Sequence, residues 1–263
     1  MTSIHKALAE LELHSESAAL CTVVSSQGST PRHVGSKMLV YPDGRFIGTV
    51  GGGELEHRVL EEASLAIADE QPRTLTYTLA EPARGDPGVC GGTVEVFVEP
   101  IIPSATIVVI GGGHVGKAVV HLAKWLGFRV VLSDDRVDFC NPDAVPGADQ
   151  YLTIPMGELP AHVNIGPHSY LVLTTRGSNI DVAGLAPLLE CPAAYIGVIG
   201  SKRRWATTVR ELRRQGVTEG RIAQVHSPMG LELNAETPEE IALSIMAEVL
   251  QLRDKGSGKP MKE

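Results

Sequence analysis

The stretch that decides the fold is TIVVIGGGHVG, residues 106–116. Its β-branched and aliphatic start predicts a buried strand. Gly111, Gly113 and Gly116 follow in G-x-G-x-x-G order, and apolar residues then recur at helical spacing from Val115 to Leu126. Glycines allow a tight turn and a close backbone approach, and the free N–H groups of a helix N-terminus attract phosphate. The stretch therefore predicts a strand, a loop that binds a phosphate-bearing ligand, and a helix.

Strands and helices continue to alternate after this loop. The alternation predicts a parallel, doubly wound, Rossmann-like sheet. The last helix is expected to begin at Thr237-Pro238-Glu239-Glu240, which combines a capping box with a proline in the first turn. The other expected strands are Phe128–Ser133, Tyr170–Thr174, Tyr195–Ile199 and Ile222–His226, and the other expected helices are Asp181–Leu189 and Ser201–Gln215.

Residues 1–100 have a different pattern, which predicts a smaller α+β domain. Pro42-Asp43-Gly44 is typical of a hairpin turn, and helical spacing begins after Gly53. Pro100–Ser104 interrupts the pattern. We therefore expect an α+β domain over residues 1–100, a Rossmann-like domain over residues 101–254 and a disordered tail over residues 255–263. The expected strands of the first domain are Ala18–Ser25, Met38–Tyr41, Arg45–Val50, Arg73–Leu79 and Thr93–Val98.

The composition argues against several functional classes. A net charge of -8 disfavours a nucleic-acid partner, because binding to a phosphate backbone needs clustered Lys and Arg. No apolar run approaches the roughly 20 residues that span a membrane, and Met1–Lys6 lacks the basic-then-apolar order of a secretion signal. The cysteines are scattered and form no CxxC pair, which suits a reducing compartment and a cytoplasmic location: Cys21, Cys90, Cys140 and Cys191.

Candidate ligand contacts flank the glycine loop. His114 lies within it, and we expect its ring to point towards the ligand cleft; a helix-surface histidine is the alternative. Asp134 ends the next strand and would accept a ribose hydroxyl of a dinucleotide, while Arg136 would accommodate a 2′-phosphate. A helix cap or a surface ion pair is the alternative for Asp134, and a loop without any ligand is the alternative for the whole motif.

A second strand-to-helix junction carries a cluster of cations. Ser201 can cap the helix, and Lys202, Arg203 and Arg204 offer charge-assisted hydrogen bonds to an anion. Cations at a helix N-terminus are locally unfavourable, so their position indicates an anionic ligand or partner. A solvated basic helix face is the alternative.

Residues 1–100 contain loops that are rich in small residues, GSTPR at 28–32 among them. Gly51, Gly52 and Gly53 precede Glu54 at a helix N-terminus, which predicts a further anion site. Cys90 precedes two glycines, so its thiol is accessible, either for metal or sulfur chemistry or as an ordinary loop cysteine. Together these loops suggest convergence on a cleft, although turns alone would account for each.

The motifs of both halves together resemble the XdhC/CoxI family, the accessory proteins of xanthine dehydrogenase and related molybdenum hydroxylases. The matches follow the family order over nearly the whole chain. They are GSTPR at 28–32, GTVGGGELE at 48–56, CGG at 90–92, GGGHVG at 111–116, DDR at 134–136, YIGVIGSKRR at 195–204, HSPMGL at 226–231 and TPEEIA at 237–242.

The resemblance implies a maturation factor rather than an enzyme. Such proteins bind the molybdenum cofactor (molybdopterin), support its sulfuration with a cysteine desulfurase and deliver it to a xanthine dehydrogenase-type hydroxylase. Cys90 would then be a soft ligand for molybdenum or a carrier of sulfur. A homodimer is expected only because soluble proteins so commonly form two-fold pairs.

One segment departs from the family pattern. The family often carries a Thr-His stretch with a downstream Asp after the middle strand, whereas this chain has Thr175-Arg176-Gly177 and keeps Asp181. The departure removes a proton-transfer histidine and favours anion binding. Two alternatives to the accessory role remain: an NAD(P)-dependent oxidoreductase that uses the glycine loop and Asp134, and an interaction protein whose loops hold no ligand.

Overall fold

The computed structural model describes residues 3–79, 87 and 90–261. The chain divides into two compact units, Met1–Pro103 and Ser104–Glu263. The division falls inside the predicted Pro100–Ser104 interruption, while the expected domain limits at residues 100 and 254 stay predictions. No helix within the described ranges combines the length and the apolar character needed to cross a membrane.

The first unit is an antiparallel sheet with a helix on each face. Among residues 3–79, 87 and 90–103, five strands lie in the order β3-β2-β1-β5-β4. Cys21 and its alternate neighbours face the second helix, whereas Leu39 faces the first helix. The elements are α1 (Ile4–His14), β1 (Ala18–Gln27), β2 (Lys37–Val40), β3 (Phe46–Gly48), α2 (Gly53–Asp69), β4 (Arg73–Thr78) and β5 (Thr93–Ile101).

Local signals in this unit were mostly sufficient to predict its elements. The predicted hairpin turn at 42–44 joins β2 to β3, and Gly44 adopts a φ of 82° that suits glycine. The expected end of the last strand at Val98 is wrong, because β5 continues to Ile101. Pairing with β4 stops at Val98, so Pro100 lies where one edge of β5 is open, and an open edge tolerates a residue without an N–H group.

The second unit is a parallel sheet with helices on both faces. Among residues 104–261, six strands lie in the order β11-β10-β9-β6-β7-β8, and the strand order reverses between β6 and β9. The predicted Rossmann-like architecture is confirmed. The elements are β6 (Thr106–Ile110), α3 (His114–Trp125), β7 (Arg129–Ser133), β8 (Gln150–Leu152), α4 (Leu159–His162), β9 (Ser169–Leu173), α5 (Ser178–Leu189), β10 (Tyr195–Val198), α6 (Lys202–Arg214), α7 (Glu219–Ile222), β11 (Val225–His226) and α8 (Pro238–Arg253).

The two faces of this sheet bury separate cores. Val109 and its alternate neighbours pack against α3 and α8, and Val108 and its alternate neighbours pack against α5. The predicted capping box is confirmed, since the Thr237 hydroxyl accepts from Glu240 N–H at 3.2 Å and the Glu240 carboxylate accepts from Thr237 N–H at 3.1 Å. The expected strand Ile222–His226 is partly wrong, because Ile222 ends α7.

The chain end beyond α8 contains no helix or strand up to residue 261. Gly256 N–H donates to Gln251 O at 2.9 Å, which turns the chain back onto the helix end. The disorder expected over 255–263 stays a prediction, and residues 262 and 263 lie outside the described residues. Met1 and Thr2, which belong to the segment tested for a secretion signal, also lie outside them.

Candidate functional site

Three glycines of the 111–116 loop are required by backbone packing. Gly111 has a φ of +112°, and a Cβ atom there would lie 2.7 Å from the Thr174 carbonyl oxygen. A Cβ at Gly112 would collide with the Phe139 carbonyl oxygen, and one at Gly116 with the Gly111 carbonyl oxygen. Because these three residues lack a side chain, the loop between the end of β6 and the start of α3 can pass close to neighbouring backbone.

Gly113 is different, because no neighbour in the described part of the chain requires a glycine at this position. Its φ is -70°, and a Cβ atom there would have no neighbour within 4 Å. No side chain caps α3, and the backbone N–H groups of His114, Val115 and Gly116 have no acceptor among the described residues. The helix N-terminus thus keeps open space and unused donors, as a phosphate-binding loop does.

Asp134 holds this loop in place. The residue is only 5% exposed, and its carboxylate accepts a hydrogen bond from Gly112 N–H at 2.9 Å. It also accepts from the N–H, Nε and Nη2 groups of Arg136 at 3.0, 2.9 and 2.8 Å, and the Arg136 guanidinium lies 3.8 Å from the Phe139 ring centroid. The carboxylate oxygens of Asp134 that were expected to accept from a ribose hydroxyl thus already accept from Gly112 and Arg136. The Arg136 guanidinium is in turn bound to Asp134.

A cavity of about 140 Å³ opens at the ends of β6, β7 and β9. Most of its wall is apolar. Ser133 also lines it, is 0% exposed, and has a hydroxyl oxygen without a hydrogen-bond partner. A buried hydroxyl left unpaired costs about 1–3 kcal/mol, so this group requires an explanation. The lining residues are Ile110, Gly111, Ser133, Asp134, Asp135, Arg136, Ile154, Pro155, Met156, Gly157, Thr175, Arg176, Ile180, Ala183 and Gly184.

Two charged residues meet at the mouth of this cavity. Arg176 donates from Nη1 and Nη2 to the carboxylate oxygens of Asp135 at 2.7 and 2.9 Å. The hydrogen bonds from Arg176 lower the pKa of Asp135 to about 2, so the pair is ionised at any ordinary pH. Arg176, which lies near the place where the family resemblance implies a histidine, is therefore part of the cavity wall.

The cationic turn at the start of α6 separates into two kinds of residue. Ser201 accepts from Arg204 N–H at 3.2 Å and caps the helix, as predicted. Arg204 is not available to a ligand, because its guanidinium binds the fully buried Asp181 at 2.8 Å and Thr175 Oγ1 at 2.6 Å. Thr175 in turn donates to Asp181.

Lys202 and Arg203 remain exposed, and their side chains have no hydrogen-bond or ion-pair partner within the described part of the chain. The unfavourable placement of cations at a helix start is thus explained for Arg204 by a buried carboxylate. Only Lys202 and Arg203 keep the predicted freedom to meet an anion.

His114 does not line the cavity. It is exposed and lies in a separate groove of about 460 Å³ between α3 and α8, together with Lys117, His121 and Leu243. This placement agrees with the alternative of a helix-surface histidine, because the first turn of α3 directs position 114 towards α8, and a role of the ring in ligand binding stays a prediction. Its backbone N–H remains at the helix N-terminus.

The glycine loops of the first unit do converge. A Cβ atom at Gly28 would lie 3.2 Å from Gly92 Cα, and one at Gly51 would lie 3.1 Å from Pro31 Cγ. The pairing of β1 with β5 places the chain after one strand beside the chain before the other. Cys90 lies at this end and is exposed.

A carboxylate of the protein already occupies the anion site predicted at Gly51, Gly52 and Gly53. Glu56 Oε2 accepts from Gly52 N–H at 3.2 Å and from the Thr49 hydroxyl at 2.6 Å. Glu54 pairs with Arg58 at 3.0 Å. An external anion would meet the negative charge of Glu56 here.

The thiols differ in environment. Burial raises the pKa of Cys21 to about 12, whereas Cys90 is open to solvent. Among the described residues, no group of three or more His, Cys, Asp or Glu side chains could hold a metal ion.

Sequence reasoning missed Ser133 and the cluster around Glu248. The Glu248 carboxylate accepts from Tyr195 OH at 2.6 Å and Gly230 N–H at 2.7 Å, and lies 3.0 Å from His226 Nδ1. The available signal for Ser133 was a polar residue that ends an apolar strand directly before Asp134.

Comparisons with known proteins agree with this architecture. Residues 107–249 match the XdhC Rossmann domain, and residues 13–78 match the XdhC and CoxI family. The chain is 36% identical to "Uncharacterized protein YqeB" of Escherichia coli (strain K12), over 95% of this chain and 46% of that protein. It is 31% identical to a probable xanthine dehydrogenase subunit of Bacillus subtilis (strain 168), over 62% of this chain and 47% of that protein.

A third relative is "Molybdenum cofactor insertion chaperone PaoD" of Escherichia coli (strain K12), at 22% identity over 93% of this chain and 86% of that protein. The crystal structure of a xanthine dehydrogenase from Bacillus halodurans shares the fold, with a TM-score of 0.50 at 23% identity over 99% of this chain and 98% of that one. The chain spans about half the length of YqeB and of the Bacillus subtilis relative.

Fold and loop geometry define a two-unit protein with a Rossmann-like second unit. The chain belongs to the XdhC/CoxI family.

Proposed function

We propose that this protein is an accessory factor that holds the molybdenum cofactor for a xanthine dehydrogenase-type hydroxylase. Family membership supports the accessory role, and one relative is named as a molybdenum cofactor insertion chaperone. A second relative is named as part of a xanthine dehydrogenase, which supports a hydroxylase of that type as the client.

The observation that carries the proposal is the open N-terminus of α3. Molybdopterin ends in a phosphate, and the N–H groups of His114, Val115 and Gly116 would hold it beside the empty space at Gly113. Asp134 positions the loop through Gly112, and Arg136 completes the support. When bound, the cofactor supplies the molybdenum centre, and the protein supplies the grip and the orientation.

Lys202 and Arg203 add positive charge without an internal partner among the described residues. Because both lie at the start of α6 in the same unit, they favour an anionic ligand or an acidic patch of the client. Ser201 shapes this turn, whereas Arg204 stabilises it through Asp181.

Cys90 enters the proposal through its chemistry. An exposed thiol at the junction of glycine loops is accessible to a cysteine desulfurase, so we assign it the transfer of sulfur to the cofactor or the ligation of molybdenum. Alkylation of native protein should then modify Cys90 before the buried Cys21. Cys90→Ala should lower the sulfurated fraction of delivered cofactor without lowering stability, whereas Cys191→Ala should change neither.

An NAD(P)-dependent oxidoreductase has less support. A dinucleotide needs a carboxylate for its ribose, and Asp134 already uses both oxygens on Gly112 and Arg136. Titration with NADPH therefore should produce no saturable fluorescence change.

Expression with molybdate followed by purification tests the main proposal. The protein should retain molybdopterin and molybdenum, and should restore activity to an apo-hydroxylase in vitro. Absence of cofactor binding at micromolar protein would contradict it. Tight binding of NADPH in place of molybdopterin would favour the oxidoreductase.

A further inference from the structure

The groove between α3 and α8 is an apolar surface apart from the cavity at the end of β6. Its volume is about 460 Å³, and Ala118, Leu122, Ala242 and Leu243 supply its apolar walls. Leu243 is 54% exposed although it lies among other apolar side chains. A continuous exposed apolar surface of this kind is typical of a site that binds another protein.

Trp125 extends this surface along α3. Side chains four positions apart share one face of a helix, so Trp125 follows Lys117 and His121, which both line the groove. Its indole is 77% exposed, although burial of a tryptophan in an interface contributes strongly to binding. The face of α3 beside α8 therefore ends in a large apolar side chain that the chain itself leaves uncovered.

The two helices that form the groove run in the same direction. Their first turns meet in the groove, where Lys117 lies on α3 and Glu239 on α8. Their ends also meet, because the Arg253 guanidinium of α8 lies 5.0 Å from the ring centroid of Phe128, three residues after α3. Lys117 and Glu239 are therefore at a similar height on opposite walls of the groove.

One wall is therefore cationic and the other anionic. The Lys117 ammonium and the Glu239 carboxylate do not pair with each other, and neither has another hydrogen-bond or ion-pair partner within the described part of the chain. Two-fold interfaces need such self-complementary patterns, in which one residue contacts a second and the second contacts the first. A two-fold axis parallel to the helices would place α3 of one copy against α8 of the other at the same height.

We infer that this groove is the interface of a homodimer whose two-fold axis is parallel to α3 and α8. Lys117 of each copy pairs with Glu239 of the other, and Leu243 and Trp125 are buried between the copies. A two-fold axis perpendicular to the helices would place α3 against α3 and bring like charges together. The ion pairs select the orientation, while the apolar side chains supply most of the affinity. Neither the cofactor nor the client enters this inference.

Charge reversal in the full chain tests the pairing. Loss of one charge should change little, because exposed ion pairs contribute little, whereas a reversed charge is repelled. Lys117→Glu and Glu239→Lys should each raise the dissociation constant of the dimer at least about tenfold. The chain that carries both substitutions should dimerise like the parent, and an equimolar mixture of the two single variants should form a heterodimer. Sedimentation velocity from about 1 to 100 µM measures each case, since a small interface is expected to be reversible.

Two further variants separate the groove from the rest of the surface. Trp125→Ala should also weaken the dimer at least about tenfold. Lys255→Glu is the matched control for Lys117→Glu, because Lys255 is exposed and does not line the groove, and it should dimerise like the parent. Circular dichroism should show that all variants are folded. Recovery of the dimer in the doubly reversed chain would itself exclude misfolding as the cause of its loss.

Several outcomes would overturn the inference. If the single reversals dimerise like the parent, or if the double reversal stays monomeric, Lys117 and Glu239 do not face each other across an interface. A parent that is monomeric over the whole concentration range would also overturn it. If such a monomeric parent binds a purified apo-hydroxylase and Lys117→Glu does not, the groove belongs to the client and not to a second copy.

Discussion

Arg176 and Asp135 form a two-bond ion pair across the end of β6. Arg176 follows β9 and Asp135 follows β7, and β6 lies between those strands, so the pair connects the two sides of the crevice where the strand order reverses. Ligands of doubly wound sheets bind in such crevices. Arg176 is therefore a paired cation at the cavity mouth.

Asp135→Asn should strengthen anion binding. The substitution keeps the size of the side chain and leaves the Arg176 guanidinium without its counter-charge, so we expect affinity for inorganic pyrophosphate to rise by about three- to tenfold in calorimetry. Asp143→Asn, which changes an exposed carboxylate of the same unit, is the control. An equal rise in both variants would indicate net charge and not the mouth of the cavity.

The low pKa of Asp135 also predicts how the contribution of this ion pair to stability depends on pH. A carboxylate with a lowered pKa stabilises the folded protein at pH values above its ordinary pKa of 3.8. That stabilisation is lost as the pH falls towards 2. Both side chains are more than a third exposed, so the contribution is below about 1 kcal/mol. The ratio of the pyrophosphate affinities of Asp135→Asn and the parent should therefore stay constant between pH 8 and pH 5, as titrations at fixed ionic strength would show.

Gly113→Ala and Gly116→Ala should separate ligand binding from folding. The first adds a methyl group in open space and should lower the free energy of unfolding by no more than about 1 kcal/mol, yet it should weaken phosphate-ligand binding at least about tenfold. The second collides with the Gly111 carbonyl and should cost about 1–3 kcal/mol or more.

Gly166→Ala is the control for this pair, because position 166 has the same open surroundings and lies outside the loop. Chemical denaturation and ligand titration provide the two measurements. Unchanged ligand affinity in Gly113→Ala would remove the loop from the proposed site.

Arg204→Met should destabilise the second unit strongly. It leaves the buried Asp181 carboxylate without its cation, and breaking a buried pair from one side costs about 3–5 kcal/mol. Arg203→Met, one residue earlier and exposed, should change the unfolding free energy by less than about 0.5 kcal/mol. Urea denaturation of both variants checks the contrast. If the two variants are equally stable, the Arg204 side chain contributes no more to stability than an exposed cation such as Arg203.

Glu248→Gln should destabilise the protein in a pH-dependent way. Burial alone would raise the pKa of Glu248, but hydrogen bonds from His226, Tyr195 and Gly230 N–H together hold it below 4.5. Stability from this carboxylate is therefore present above pH 4.5 and is lost as the pH falls below that value. We expect a loss of about 1–3 kcal/mol at pH 7 that shrinks below pH 4.5. Glu239→Gln, exposed on the same helix, should show neither effect in thermal unfolding.

The sequence was sufficient to predict those strands and helices whose boundaries depend on neighbouring residues in the chain. TIVVI at 106–110 could only be a buried strand before a glycine loop, and Thr237 with Glu240 marked a helix start that the structure confirms. The strand β8 was missed because three residues are too few for any periodicity.

Partnerships across the fold were not predictable in the same way. Arg204 and Asp181 are 23 residues apart, and only packing of α6 beside α5 decides that this arginine serves a buried carboxylate. Likewise, Asp134 was correctly located at the strand end, but whether its oxygens face a ligand or the Gly112 N–H depends on how the loop folds back. The orphan hydroxyl of Ser133 is a property of the packed interior alone.

The lengths of the outer strands bear on how this protein behaves in concentrated solution. Among the described strands, the edges β3, β8 and β11 have only 3, 3 and 2 residues, so they offer few unpaired N–H and C=O groups to a neighbouring molecule. Short edges limit strand addition between molecules and hence aggregation. The edge strand β4, with 6 residues, is the long exception, and it is the place where a charged substitution would do most to keep the protein dispersed.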